Sequence, residues 1–226
     1  DEFAAVEKKF GPGLKDKPGN TPWNQLLSTA SGQAQEAAGP GAVQGGRTSP
    51  GTITTRVSTT EDTTLIHDFY AGVDRATFDS LHHGLSQART GGETRPASTE
   101  EFEDMRDHFA DSLSKYPHAL CFDGDELVGV GHLHGVVRGP DRGTGKTLAT
   151  ARLTHEQYRG KGVQTKLAAQ LEDMARRSGA EKLQGLADPK NEGAIGLVKK
   201  LGYQKVGEVQ GDFGTGTEEI WEKSLV

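Results

Sequence analysis

Seven consecutive residues, Gln157-Tyr158-Arg159-Gly160-Lys161-Gly162-Val163, have the types and the spacing to hold a doubly charged phosphate group. Two glycines separated by one residue let successive backbone N–H groups turn towards a single anion. The run from Val163 to Arg177 that follows carries Val163, Leu167, Leu171 and Ala175 at helical spacing, so the loop opens a helix. The orphan N–H groups of that first turn add partial positive charge, and Arg159 and Lys161 add full charges. The expected chemistry is a pyrophosphate cradle. Two histidines form a second candidate. His132 and His134 alternate along a predicted strand and therefore share a face. An imidazole titrates near neutrality, as a general base requires.

These residues need a scaffold. Ile53, Thr55 and Val57 alternate and predict a first strand. Thr59-Thr60-Glu61-Asp62 has the acidic, capping character of a helix start, with Leu65, Ile66, Phe69 and Tyr70 as its apolar stripe and Gly72 as its stop. A second helical segment is expected from Asp74 to His83, and a loop from Gly91-Gly92 to Pro96. Ser98 with Glu101 forms a capping box for a helix carrying Phe102, Met105, Phe109 and Leu113. The turn signal Asp123-Gly124-Asp125 joins a strand at Ala119 to Phe122 to another at Leu127 to Val136. Further strands are predicted at Leu148 to Thr154, Leu183 to Ala187, Lys205 to Val209 and Glu219 to Leu225. A helix starting at Pro189 or Asn191 lies between the second and third of these and stops at Gly202. The pattern is α/β, with a mixed and largely antiparallel sheet.

The 226 residues carry a net charge of −6, so no global basic field points to nucleic acid. The single cysteine, Cys121, allows no internal disulfide, and a reducing, cytoplasmic setting is expected. No run approaches the roughly 20 apolar residues of a membrane helix, and no membrane association is expected. The first residue is Asp1, so a processed form or a piece of a longer protein is expected. Composition changes near Pro50. Residues 1–51, rich in Gly, Pro, Gln, Ala and Ser, read as a flexible N-terminal extension. Within it, residues 22–27 form a short apolar cluster suited to docking on the chain's own surface, on a neighbouring domain or on a partner. Residues 52–226 read as one domain.

From about Thr52 onward the chain resembles the GCN5-related N-acetyltransferases, the GNAT family. Gln157, Gly160 and Gly162 meet the family signature Q/R-x-x-G-x-G/A. Asn191 and the later run Lys199-Lys200-Leu201-Gly202-Tyr203 resemble the family's asparagine, helix and K-L-G-F/Y ending. Thr54-Thr55-Arg56-Val57, Glu61-Asp62 and Asp68-Phe69-Tyr70 resemble the opening of protein lysine acetyltransferases of that fold. The resemblance implies a GNAT fold with splayed central strands flanked by helices, and acetyl-CoA as the acyl donor. The diphosphate of coenzyme A would sit on Gln157, Tyr158, Arg159, Gly160, Lys161, Gly162 and Val163. Leu153 and Thr154 would line the pantetheine, with Asn191 as a further contact. An amine acceptor would attack directly; a small molecule, a protein lysine or N-terminus, and a charged tRNA all fit that description.

The same resemblance marks where this chain departs. The glutamate base expected ten residues before Gln157 is Thr147, and the tyrosine acid expected four residues before Gly202 is Val198. Several routes to proton removal stay open. His132 or His134 could be the base, Thr147 could hold a water, or Asp188 could lie beside the acceptor amine. A catalytically silent or atypical acyl-CoA-binding module is the alternative. Pro140 to Thr147, PDRGTGKT, imitates a nucleotide P-loop but lacks its first glycine and precedes a strand instead of a helix. Its basic residues could instead contact the cofactor's 3′-phosphate or an acidic acceptor. His132-x-His134 has no Cys or carboxylate companions, so no metal is expected.

Overall fold

The alternating run Ile53–Val57 pairs as the first edge of a seven-stranded sheet, and the predicted helices cover both faces of that sheet. In the computed structural model the described residues are 52–77, 87–90, 93–135, 137–139, 141, 145–210 and 216–226. Residues 1–51, with the docking segment at 22–27, lie outside them.

In chain order the elements are β1 (Ile53–Val57), α1 (Thr63–Ala71), β2 (Gln87–Thr90), β3 (Glu93–Pro96), α2 (Thr99–Leu113), β4 (His118–Asp123) and β5 (Glu126–His134). There follow β6 (Thr147–Thr154), α3 (Val163–Arg177), β7 (Lys182–Ala187), α4 (Glu192–Lys200), β8 (Gln204–Gln210) and β9 (Thr217–Ser224). The main sheet runs β1-β4-β5-β6-β7-β9-β8, and its pairs are antiparallel except β6 with β7.

Local chemistry explains the helix ends. Ser98 Oγ accepts from the Glu101 N–H at 3.2 Å, and the Glu101 carboxylate accepts from the Ser98 N–H at 2.8 Å, so the capping box starts α2. Asn191 Oδ1 accepts from the Ala194 N–H at 3.0 Å and starts α4, so Pro189 does not. At the start of α1, Asp62 accepts both bonds of the Arg56 guanidinium at 2.6 Å, which ties helix to β1. That pair holds the Asp62 carboxyl at about 2.

Two expectations change. The loop expected from Gly91-Gly92 to Pro96 is in part a strand: β3 pairs with β2, with Thr90 opposite Glu93. A Gly-Gly pair between two short strands is a hairpin signal as much as a loop signal. Of the helical segment expected from Asp74 to His83, residues 75–77 are helical; from 78 on, including His82 and His83, it lies outside the described residues.

The sheet separates two cores. On one face α3 lays Val163, Leu167, Leu171 and Ala175 against Ala119, Cys121, Val128, Leu133, Leu148 and Leu183. Gly129 and Gly131 of β5 let the helix approach. A Cβ on Gly129 would meet Val163 Cγ1 at 2.6 Å, and one on Gly131 would meet Leu171 Cδ1 at 2.9 Å. On the other face Ile66, Tyr70 and Val73 of the α1 region pack with Phe102, Ala110, Leu120, Val130 and Leu153. Leu65, expected in the α1 stripe, is exposed.

Candidate functional site

The parallel pair β6–β7 is joined only at its beginning. Thr147, Leu148 and Ala149 pair with Lys182, Leu183 and Gln184, and pairing stops there. Beyond Ala149, β6 stays with β5 as far as Thr154, and β7 stays with β9 as far as Ala187. The two strands therefore diverge into a V with its apex at Ala149 and Gln184. At ~3.3 Å per residue, Thr150 to Thr154 gives the gap a length of roughly 16 Å. Among the described residues, alternate backbone groups of that stretch face the gap with no strand partner on that side. The gap is also lined by a residue without a side chain: a Cβ built on Gly185 comes no closer than 4.0 Å to Thr150 Oγ1.

The glycine loop stands at the open end of the V. Glu156–Tyr158 makes one tight helical turn, and Gly160 and Gly162 take left-handed φ values of 79° and 84°. Gly162 caps α3, with its carbonyl accepting from the Thr165 and Lys166 N–H groups. Among the described residues no backbone acceptor takes the N–H groups of Gly160, Gly162, Val163 or Gln164. A Cβ added at either glycine would meet no atom within 4 Å, so the space above the loop is open. Gln157, Arg159 and Lys161 are exposed there. The Lys161 ammonium lies 4.5 Å from the centre of the Tyr158 ring, whose hydroxyl donates to Glu126 at 3.0 Å. Thr154 Oγ1 accepts from Gln164 Nε2 at 2.7 Å, which locks the end of β6 to the first turn of α3. Leu153 is buried in the α1 core, and its carbonyl is turned towards Gly129 of β5 instead of the gap. Asn191 serves as the α4 cap.

The face of the sheet under α1 is polar and buried beside the apex. In the β5–β6 register, His134 stands opposite Ala149 and His132 opposite Ala151, level with the apex. Both histidines share a face, with ring centres 5.7 Å apart. His132 is buried against Tyr70, and its Nδ1 lies 3.1 Å from the Tyr70 hydroxyl. Tyr70 also reaches His118 Nε2 at 3.3 Å. Thr147, on this face and buried, donates to Asp141 at 3.2 Å, and Lys182 donates to the same carboxylate oxygen at 2.6 Å. The Lys182 bond holds the Asp141 carboxyl below its ordinary range, so it stays ionised and takes up no proton near neutrality. Gln184 grips the backbone of Arg138 twice, accepting at 2.6 Å and donating at 2.9 Å, and so fixes the start of the β5–β6 connection over the apex. Asp188 is exposed and its carboxylate accepts from the Lys190 N–H at 2.8 Å, a local turn contact. Val198 is buried and its carbonyl accepts from the Tyr203 N–H at 3.0 Å.

The PDRGTGKT stretch does not behave as a phosphate loop where it is described. Lys146 pairs with Glu181 at 2.7 Å, and Thr147 begins β6. Pro140 and residues 142–144 lie outside the described residues. Among the described residues no group of three or more His, Cys, Asp or Glu could hold a metal, and no helix is long and apolar enough to cross a membrane. Sequence reasoning missed His118, Tyr70 as a polar group, Gln184 and Asp141. Their roles depend on partners 41 to 62 residues away in sequence.

A half-paired parallel strand pair with a glycine-capped helix at its open end is the arrangement expected of an α/β acyltransferase. The acetyltransferase (GNAT) family model matches residues 78–203, and the chain belongs to that family. Its class is therefore an acetyl-CoA-dependent N-acetyltransferase. No curated protein sequence matches it. Solved structures share the fold at low identity. One is yncA from Salmonella typhimurium, assigned as an acetyltransferase and solved with acetyl-CoA. It is 21% identical at a TM-score of 0.51, over 77% of this chain and 94% of that one. A GCN5-related N-acetyltransferase from Kribbella flavida is 18% identical at a TM-score of 0.53, over 78% and 99%. The ribosomal-protein-S5-alanine acetyltransferase from Vibrio fischeri is 14% identical at a TM-score of 0.50, over 76% and 93%.

Proposed function

We propose that this chain transfers an acetyl group to an amine by direct attack, with His132 as the general base. The observation that carries the reading is register: His132 faces Ala151, the second residue past the point where β6 and β7 part. Acetyl-CoA supplies the acetyl group as an activated thioester. The N–H groups of Gly160, Gly162, Val163 and Gln164, with the side chains of Arg159 and Lys161, bind its diphosphate. Gln157, Tyr158 and Val163 frame that loop, and Thr154, next to Leu153, offers backbone along the gap.

His132 holds the lone pair that removes the amine proton while the amine nitrogen forms the new N–C bond. The C–S bond breaks, and the sulfur leaves as thiolate to be protonated from solvent. His134, one turn of the pleat further out, lines the approach to His132. Thr147 and Asp141 hold Lys182 beside the apex, and Asp188 shapes the turn into α4. The acceptor is a primary amine on a protein or a small molecule; the buried polar face on the α1 side is where it enters. A single buried thiol, Cys121, pushed up to about 11 by burial, suits a reducing cytoplasmic setting.

The test is release of free thiol from acetyl-CoA across a library of amines, peptides and N-termini. Turnover with at least one amine is expected, with an acidic limb in kcat/KM that His132→Ala removes. Binding of acetyl-CoA without thiol release from any amine overturns transfer. An acidic limb unchanged in His132→Ala removes His132 as the base.

A further inference from the structure

The hydrogen-bonded chain Tyr116–His118–Tyr70–His132 has only one arrangement of protons. His118 Nδ1 lies 2.7 Å from the Tyr116 carbonyl oxygen, which can only accept. That nitrogen therefore carries a hydrogen. His118 is wholly buried, and burial lowers its pKa to about 4, so the ring is neutral near pH 7 and its Nε2 is bare. The Tyr70 hydroxyl, 3.3 Å away, donates its only hydrogen to that Nε2. Burial pushes the Tyr70 pKa up, so the hydroxyl keeps its hydrogen. Its oxygen can then only accept from His132 Nδ1 at 3.1 Å. His132 Nδ1 must carry a hydrogen, and in the neutral ring Nε2 is left with the lone pair.

We infer that Tyr70 and His118 are positioning residues that select the tautomer of His132, fixing Nε2 as the nitrogen that accepts a proton. This rests on the reading of His132 as the base. The direction of the chain is set at its far end by a backbone carbonyl, the one member that cannot reverse its role. The geometry is supported on three elements: α1 supplies Tyr70, β4 supplies His118, and β5 supplies His132. The register places His118 directly opposite His132, with ring centres 5.3 Å apart. Among the described residues, the titratable groups facing His132 are Tyr70 from α1, His118 from β4 and His134 from its own strand; β6 presents Ala149, Ala151 and Leu153. A free imidazole in water favours hydrogen on the other nitrogen, so the selection has a measurable counterpart.

The experiment is long-range proton–nitrogen NMR on nitrogen-15-labelled full chain at pH 7.5, with His132 assigned by comparison with His132→Gln. Hydrogen on Nδ1 of His132 and of His118 is expected in the unaltered protein, and that measurement needs no variant. Hydrogen on His132 Nε2 overturns the inference. In Tyr70→Phe the His132 signal moves towards the Nε2–H form, and kcat falls about 10- to 100-fold with KM for acetyl-CoA unchanged. A tautomer that stays put in a folded Tyr70→Phe also overturns it. The two readings fail separately. An Nδ1–H signal with full activity in His132→Ala removes the base and keeps the proton chain. An Nε2–H signal with no activity in His132→Ala keeps the base and removes the chain.

Discussion

The two faces of the sheet solve different problems with the same strands. The face under α3 is an apolar seam in which Leu167 and Leu171 are fully buried and glycines at 129 and 131 remove bulk so that the helix can sit close. The face under α1 and α2 buries His118, His132, Tyr70, Thr147 and Gln184, each with a hydrogen-bond partner. Dispersion and water exclusion hold the first face, and they tolerate small shifts in direction. Directed bonds hold the second, and losing one partner strands the other in a medium that cannot solvate it. The first face therefore fixes where α3 and its phosphate loop stand. The second fixes which atoms meet at the apex of the V.

Truncation on the apolar face should give the largest loss. Leu171→Ala is expected to cost about 2–5 kcal/mol in urea unfolding, because the removed methyl groups leave a cavity among Gly131, Ala175 and the rest of the seam. A loss under about 1 kcal/mol would show that α3 collapses freely onto the sheet and that the seam is not close-packed.

The polar face should reveal itself through pH instead. His118 titrates at about 4 in the folded chain against 6.5 for an ordinary histidine. Between those values the unfolded chain binds a proton that the folded chain refuses. Stability from this group is complete above pH 6.5, falls as pH drops towards 4, and levels off below. The total is about 3 kcal/mol. His118→Gln should flatten that part of the stability–pH curve, whereas Leu171→Ala should lower the whole curve without changing its shape there. Parallel curves for His118→Gln and the unaltered chain would show that His118 does not titrate in this window.

Sequence reasoning reached the two faces unequally, for a physical reason. The Val163–Arg177 helix and its glycine loop are local: spacing of apolar residues, a positive-φ cap and nearby charges all lie within one stretch of chain. The shared face of His132 and His134 is also local, since strand residues two apart point the same way. The His118–His132 pairing is not. Counting back from the Asp123–Glu126 turn without a bulge sets His118 opposite Gly131, on the wrong face. The register shift at Cys121/Phe122 moves the pairing by one, and His118 meets His132. A one-residue slip reverses every side chain beyond it, and no residue near the bulge announces it. Gln184 with Arg138 and Lys182 with Asp141 are hidden likewise, because each bond spans the whole of β6 and α3. The V itself was legible only through the family resemblance; its apex at Ala149 and Gln184 came from pairing alone.

Gly129→Ala should have a smaller effect than either already described. Its new methyl would stand 2.6 Å from Val163 Cγ1 and 3.1 Å from the Leu153 carbonyl oxygen. The Val163 side chain has little freedom at χ1, and the carbonyl is held in the β5–β6 pairing. An overpacking loss of about 1–3 kcal/mol is expected, together with weaker acetyl-CoA binding because Val163 is the first residue of α3. Loss of stability with unchanged acetyl-CoA affinity would separate the seam from the loop it supports.

The smallest effect tests whether a single directed bond can matter on the apolar face. Thr154→Val keeps the shape of the side chain and removes the oxygen that accepts from Gln164 at 2.7 Å. Gln164 is only half-buried, so its amide can turn to water and the stability loss should stay within about 0.5–1.5 kcal/mol. The bond nevertheless joins the end of β6 to the first turn of α3, where the free N–H groups stand. If directed bonds position and apolar contacts only hold, Thr154→Val should weaken acetyl-CoA binding more than its stability loss suggests, while acceptor KM and the His132 tautomer stay as they were. Equal small changes in stability and acetyl-CoA affinity would show that packing of Val163 and Leu167 alone aims the loop.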